Sequence, residues 1–460
     1  MHQALQRMVD RHPSLKTAAL QAERSALDQV RVESQLGWNM GGSAGLGHDV
    51  NFIGVPSSTL NVGANLSKKL ESGDQLGLNG RYSYEDSELA FGSLPNPSHR
   101  TQFDLSYRKP LWQGAGNARY QEGLAKAKYG SQIAELSLLN IRDQLAQQLI
   151  DVYFNLILTT ARLQNVDQSV ARAHRLANHV LKNRKLGLSE DKDILQLEAQ
   201  LASLESNRAG LEVAKGQLEI RLKQLMWSDK GSSPQVDIAN LPKVTKDVNQ
   251  DVYMAVEKYN PQIKINELRA QIADSQIREA RDSKEDKLDT VFSVGMRTAD
   301  GTSLVGSPQE TTVSEQDYAA SVTIEFSKQV DKSGLQAVLS QAMLDRSIAL
   351  QEKELIRQDL HYRVDVLRDQ LQRGALALKQ AQTRRDSEHK KMKEAQTRYD
   401  TGRADTFQII QFENELALAE LAVQEQGIEQ SKRTVLLQLL SGQLWADIVS
   451  NQNQIVNLSQ

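Results

Sequence analysis

Residues 60–84 read LNVGANLSKKLESGDQLGLNGRYSY, and the period of this stretch decides the fold class. Leu60, Val62, Ala64 and Leu66 alternate with Asn and Gly, and Leu76, Leu78, Tyr82 and Tyr84 alternate again beyond Glu71, Ser72, Gly73 and Asp74. A repeat of two is that of an extended strand with a single apolar face. The four residues between the runs have the composition of a tight turn. Asn, Ser and Gly fill the second face, which suits strands with acyl chains on one side and water on the other. The same alternation also suits a soluble sandwich.

The period of two extends outward. Met40, Gly42, Ala44 and Leu46 precede the hairpin, and Phe103, Leu105 and Tyr107 follow it, giving four strand segments within residues 37–112. Further along, Phe292, Val294 and Met296, then Val322, Ile324 and Phe326, give two more within 289–327. The linkers near 49–57, 86–100 and 298–316 are long and rich in Gly, Ser, Pro and Asn, in contrast to the tight turn at 71–74. Long loops on one side and short turns on the other match a barrel whose helices all leave from the short-turn side. Trp38, Tyr107, Trp112 and Tyr318 lie near strand ends, where an interfacial aromatic belt would place them.

The remainder has a helical period. Ile194, Leu197, Leu201, Leu204, Leu211, Leu218, Leu222 and Leu225 follow three-and-four spacing, and Leu360, Val364, Leu367, Leu371 and Leu378 do the same. Such stripes are the seam of a left-handed coiled coil. Residues 117–185 and 333–399 contain no Pro, so each run predicts a helix of roughly 100 Å. A helix near 3–35 and another near 190–226 sum to nearly the same length, so two short helices end to end would lie beside one long helix.

Internal repetition organises the chain. A constant offset of 215 superposes Gly187 on Gly402, Ile194 on Ile409, Gln196 on Gln411, Glu198 on Glu413, Leu201 on Leu416 and Leu222 on Leu437. A second correspondence sets His12, Pro13, Ser14 and Leu15 opposite Asn260, Pro261, Gln262 and Ile263. Residues 1–227 then form a first repeat (helix, strands 37–112, helix 117–185, helix 190–226) and 228–256 a linker. Residues 257–445 form a second repeat (helix, strands 289–327, helix 333–399, helix 405–441), and 446–460 a tail.

Composition excludes several classes. The 460 residues are only 5% aromatic and 25% charged, with mean hydropathy -0.50, which argues against a large globular core. The 55 basic and 58 acidic residues are mixed along the chain, so nothing resembles a nucleic-acid-binding domain. Cysteine is absent, which removes disulfides, thiolate metal sites and a lipidated Cys. No apolar run approaches the length of a membrane-spanning helix, so any entry into a bilayer is through strands. Residues 1–12 lack the sections of a secretory signal, implying either that a signal has been removed or that the protein is cytoplasmic. The eight His residues include no HExxH, and no GxSxG, P-loop or GxGxxG occurs, so the chain carries no catalytic constellation and calls for no cofactor or metal.

At this level of detail the chain resembles the TolC family of outer-membrane efflux and secretion channels. The matching residues are His12 and Pro13, the strand-to-helix junction Leu111, Trp112, Gln113 and Gly114, and the turn Tyr399, Asp400, Thr401 and Gly402. The resemblance covers the whole chain. It implies an α+β membrane protein in the outer membrane of a Gram-negative bacterium: a homotrimeric β-barrel continued by a long α-helical coiled-coil barrel in the periplasm. It further implies an equatorial belt from 228–256 and the tail, and docking through the helical tips to a periplasmic adaptor linked to an inner-membrane pump or ABC transporter. The function implied is a passive exit duct for a tripartite efflux pump or type I secretion system. The hairpin near 58–86 exceeds the family's usual two strands per half, so the trimer's barrel has either twelve strands or eighteen. A soluble coiled-coil scaffold is the competing reading of the helices.

By this resemblance the periplasmic gate falls on Asp193, Gln408, Gln411, Tyr399 and Arg403, with Ala404 where some members have an Arg. Adaptor docking falls on Leu186, Gly187, Leu188, Thr401, Gly402 and Arg403. Asp405, with Gln408 three residues on, has capping-box spacing, and Ser189 stands at the matching place in the first half. Cargo is not written in the sequence.

Overall fold

The computed structural model describes residues 1–50, 56–87, 98–185, 190–228, 251–300, 318–401 and 403–448. Backbone contacts divide the chain into two compact units, one of Met1–Gln21, Glu135–Ile265 and Lys353–Gln460, the other of Ala22–Ala134 and Asn266–Glu352. Each unit draws on both halves of the sequence. Elements in chain order are α1 (His2–Arg11), α2 (Pro13–Glu33), β1 (Trp38–Val50), β2 (Pro56–Lys69), β3 (Gln75–Ser87), β4 (Ser98–Pro110), α3 (Ala118–Lys185) and α4 (Asp191–Met226). They continue with α5 (Asp251–Tyr259), α6 (Pro261–Lys284), β5 (Lys287–Asp300), β6 (Tyr318–Ser327), α7 (Ser333–Asp400) and α8 (Thr406–Leu440).

The second unit is built on one six-stranded sheet in the order β1-β2-β3-β4-β5-β6, antiparallel throughout. Alternation and register together put one apolar row after another on the same face: Met40 opposes Leu66, Leu66 opposes Leu78, Leu78 opposes Leu105 and Leu105 opposes Val294. This face has no cover among the described residues. Met40 and Leu46 are each 86% exposed, Ile324 71%, and Leu78, Phe103, Leu105, Phe292, Val294 and Val322 are also exposed. The hairpin β2–β3 is inserted between β1 and β4, in the sheet rather than beside it.

The turn between β2 and β3 closes through Leu70 N–H to Asp74 O at 2.8 Å and Gly73 N–H to Leu70 O at 3.0 Å. Gly73 has φ +94, and a Cβ there would stand 2.5 Å from Gly114 O, so glycine is required twice over. After β4 the chain reverses through Gly114 (φ 85), Gly116 (φ 69) and Asn117 (φ 54). This junction is held by Gly114 N–H to Asp282 Oδ1 at 3.0 Å, Gln113 Nε2–H to Ser283 O at 3.2 Å and Asn117 Nδ2–H to Leu70 O at 3.1 Å. The helical segments of this unit are linked by Lys126–Glu279, Arg278–Glu122 and Arg346–Asp274 ion pairs and a small apolar cluster of Ile277, Ala280, Leu339 and Ala342.

The first unit is helical. Its main core gathers Leu5 and Met8 of α1, Leu149, Ile150, Phe154 and Ile157 of α3, Leu222 and Leu225 of α4, and Ile428, Val435 and Leu439 of α8. A second cluster joins Val256 of α5, Ile263 of α6, Leu360, Val364 and Leu371 of α7 and Leu437 of α8. The single helix expected over 3–35 is divided. Pro13 disfavours helical geometry in the residue before it, and His12 takes φ -66, ψ 124, its Nδ1 accepting Ser14 N–H at 3.3 Å. Asn260 before Pro261 behaves in the same way, its Oδ1 accepting Gln262 N–H at 2.9 Å. Residues Asp251–Tyr259 form α5, so 251–256 of the expected linker is helical. Of that linker, 229–250 lies outside the described residues, as does 449–460 of the tail.

One polar node pins the segment that follows α8 to α3. Trp445 donates its indole N–H to Asp143 Oδ1 at 2.8 Å, Arg142 stacks its guanidinium 4.2 Å from the Trp445 ring, and Arg142 donates to Tyr259 Oη at 2.6 Å. Burial pushes the Asp143 carboxyl above the usual carboxylate range, with Arg142, Trp445 and Tyr259 opposing it.

In the sheet, Asp289 is 2% exposed and depends on Arg108, whose Nη1 lies 2.8 Å from it while the same guanidinium reaches Glu325. Removing a buried charge's partner is costly. Arg108→Met is therefore expected to destabilise the protein in detergent micelles by roughly 3 kcal/mol, and Arg108→Met/Asp289→Asn to recover most of the loss. Urea unfolding of the pair of variants measures both.

Candidate functional site

The residues that the sequence assigns to a gate lie where α3 and α7 end and α4 and α8 begin, all within the first unit. Helix α8 is capped by Asp405, at φ -93, ψ 165, whose Oδ1 accepts Gln408 N–H at 2.7 Å. Helix α4 is capped one residue later than Ser189, by Glu190, and Asp193 Oδ2 accepts the Glu190 N–H at 3.2 Å. Asp193 is half-buried and closes the first turn of its helix. Lys192 sits beside it, 2.8 Å from Glu190, and the hydrogen bond to Glu190 followed by the fields of Glu190, Asp193 and Asp405 raises its ammonium pKa.

Tyr399 is only 9% exposed. It belongs to an apolar cluster with Leu176 and Val180 of α3, Leu197 of α4, Ala395 of α7 and Ile409 and Ile410 of α8. Its hydroxyl meets Thr406 Oγ1 at 3.3 Å and its ring lies 5.5 Å from that of His179. Arg403 is exposed and its backbone N–H donates to Arg398 O at 2.8 Å. Thr401 is exposed and donates to Arg398 O at 2.9 Å. Gln408 is exposed, and Gln411 donates to Glu415 Oε1 at 3.0 Å. Glu415 is held below the usual carboxylate range by the hydrogen bond from Lys391, which also pairs with Glu388. Leu186, Gly187, Leu188, Ser189 and Gly402 lie outside the described residues.

One group beneath the tips escapes the sequence reading. Glu413 of α8 shares a small cleft with Ser169, Arg172, Leu197, Gln200 and Asn414. Burial raises its pKa, with Arg172 and Arg175 opposing less strongly. The signal was present: Ile409, Ile410, Glu413, Leu416 and Ala417 share one helix face, so this carboxylate interrupts an apolar stripe.

In the second unit the four aromatics assigned to membrane interfaces lie at or near strand ends. Trp38 opens β1 with Lys68 Nζ 5.4 Å from its ring, Tyr107 donates to Asp74 Oδ2 at 2.9 Å, and Trp112 meets Phe326 edge-on at 6.1 Å. Tyr318 opens β6 at the other end, opposite Met296. Tyr82, Tyr84 and His99 cluster near that same end, with Tyr82 Oη 2.8 Å from His99 Nδ1. The alternation identified the two tyrosines as strand residues and missed their position.

No helix of the described residues is long and apolar enough to cross a membrane, and no cluster of His, Asp and Glu among them is placed to hold a metal ion. No family model and no curated relative matches the chain. Solved structures do. The outer-membrane channel OprN matches with TM-score 0.71 and 17% identity, covering 96% of this chain and 89% of that one. CusC, described for its folding and transmembrane channel formation, matches with TM-score 0.72 and 14% identity over 95% and 91%. The outer-membrane protein VceC of Vibrio cholerae matches with TM-score 0.69 and 13% identity over 96% and 95%. The chain has the fold of the TolC-like outer-membrane channels. Of the residues that the sequence assigns to a gate, Asp193 takes part in a helix cap, Tyr399 is a core residue, and Arg403, Gln408 and Gln411 are exposed.

The sign of the Glu413 shift gives a test. A carboxyl whose folded pKa is raised favours folding at low pH and opposes it once pH rises through the folded value. Glu413→Gln is expected to raise the thermal midpoint at pH 7.5 by roughly 2 °C, the gain vanishing below the ordinary carboxylate range. Calorimetry of both proteins across pH measures it.

Proposed function

We propose that the protein is a passive exit duct in the outer membrane of a Gram-negative bacterium, serving a tripartite efflux pump or a type I secretion system. The observation that carries this reading is the uncovered apolar face running across all six strands, backed by a polar face of Asn, Ser, Gly and paired charges. In water such a face costs about 25 cal/mol for each Å² left exposed; in acyl chains it is the required outer surface. A soluble coiled-coil scaffold has no use for it.

Six strands are too few to close a barrel, and β1 and β6 each leave an edge unpaired among the described residues of a single chain. Assembly by threefold symmetry joins these edges and yields eighteen strands, with the β2–β3 hairpin part of the wall. Helical stripes support a homotrimer as well. Leu344, Ile348, Leu355, Tyr362 and Val366 of α7 are exposed at coiled-coil spacing, as are Leu20 and Leu27 of α2 and Val213 and Ile220 of α4. The helices form the periplasmic wall, built from two repeats, with residues 228–256 and the tail as a belt. The tips, including Leu186, Gly187, Leu188, Thr401, Gly402 and Arg403, receive the adaptor. The gate is the ring of tips around Asp193, Gln408, Gln411, Tyr399 and Arg403.

Expressed with a secretory signal, the protein is expected in the outer-membrane fraction as a trimer whose gel migration changes on heating, and to carry steady current in planar bilayers. A monomer in the soluble fraction that carries no current would end the proposal. Within the trimer, three Asp193 carboxylates make a negative ring. Asp193→Asn is expected to lower cation selectivity by about twofold, read from reversal potentials; an unchanged value removes Asp193 from the gate.

A further inference from the structure

The polar face of the sheet treats its charges in two ways. Near the β2–β3 turn they are paired: Arg108 bridges Asp289 and Glu325, and Lys287 lies 3.7 Å from Asp289. Asp104 is occupied by Gln102, whose Nε2 donates at 2.5 Å. Farther along the strands, Arg81 of β3, Arg100 of β4 and Arg297 of β5 are all exposed and make no ion pair with any described carboxylate.

Register gathers these three guanidinium groups. Arg81 opposes Gln102, and Gln102 opposes Arg297, so the two arginines flank one glutamine on neighbouring strands. Arg100 lies two residues farther along β4 on the same face, opposite Ser83. At strand spacings near 4.8 Å and about 7 Å per two residues, all three Cα atoms fit within about 10 Å of one another. Like charges so placed repel and contribute nothing to folding. On the β2 side the same face continues with two small residues, Gly63 opposite Arg81 and Ser43 beyond. A planar fork of donors with no internal acceptor is suited to bidentate binding of phosphate or carboxylate.

We propose that Arg81, Arg100 and Arg297 form an anion-binding patch on the lumen wall of the barrel, and that the solutes it favours carry phosphate or carboxylate groups. This rests on the duct reading, because that reading makes the polar face the lumen. Repeated by threefold symmetry, the patch becomes a basic ring, the arrangement used by anion-conducting pores. It sits on the half of the sheet away from the β2–β3 turn, on the face opposite that of Tyr82 and His99.

The test uses the assembled trimer in planar bilayers at 0.1 M KCl, with tripolyphosphate added to the side facing the long loops and spermine as the cationic control. Tripolyphosphate is expected to reduce the current at concentrations where spermine has no effect. In Arg81→Gln/Arg100→Gln/Arg297→Gln the blocking concentration is expected to rise about tenfold, and the difference to shrink at high salt. If the triple variant fails to assemble, Arg81→Gln alone is read in the same way, with about a threefold rise expected. Current that tripolyphosphate blocks equally in wild type and variant, or not at all, overturns the anion patch and leaves the duct standing. Absence of any current overturns the duct and the patch with it.

Discussion

The structure depends on one constraint: a six-stranded sheet whose apolar side chains have nothing among the described residues to cover them and whose two edge strands find no partner among those residues. Both deficits are large. The exposed rows run from Met40 and Leu46 on β1 to Val322, Ile324 and Phe326 on β6. An open edge exposes backbone donors and acceptors that a bilayer cannot satisfy. A hydrophobic surround and further copies of the chain meet both needs at once, and the polar face then has to be the wet side. The pairing of Arg108 with Asp289 and Glu325 on that side shows that its charges are arranged rather than merely tolerated.

The helical unit follows a different logic. Its apolar residues are buried against one another in clusters distributed along the helices, with no single large core. Polar fasteners join them: Trp445 to Asp143, Tyr253 Oη to Asp365, Gln200 to Asn414. At the tips, capping by Asp405 and by the Glu190–Asp193 pair sets where α8 and α4 begin, and Tyr399 and Thr406 tie the end of α7 to the start of α8. Tyr399 is thereby fixed in the helix packing, and freeing it alone would dismantle the cluster around Ile409 and Ile410.

Much of this was legible in the sequence because two periods were. Alternation at Leu60–Leu66 and Leu76–Tyr84 placed a hairpin, and Gly73 and Asp74 placed its turn. Proline-free runs with three-and-four spacing placed α3 and α7. What could not be read is equally specific. Whether β2–β3 joins the sheet is a matter of pairing between strands, which periodicity does not encode. The break at His12 was signalled by Pro13, which the repeat sets opposite Pro261, and α5 is too short to announce itself where the polar linker meets the second repeat. The burial of Tyr399 and Glu413 depends on partners on α3 and α4 more than 180 positions away in sequence, with Leu176 facing Tyr399 and Arg172 facing Glu413.

The absence of cysteine allows the most direct test, the accessibility of single cysteines placed at neighbouring positions on β4 in the assembled protein in lipid. Phe103→Cys and Leu105→Cys should react with a lipid-soluble maleimide and resist a charged one, while Gln102→Cys and Ser106→Cys should react readily with the charged reagent. Equal reactivity of all four with the charged reagent would mean water on both faces of the sheet and would contradict the account at its foundation.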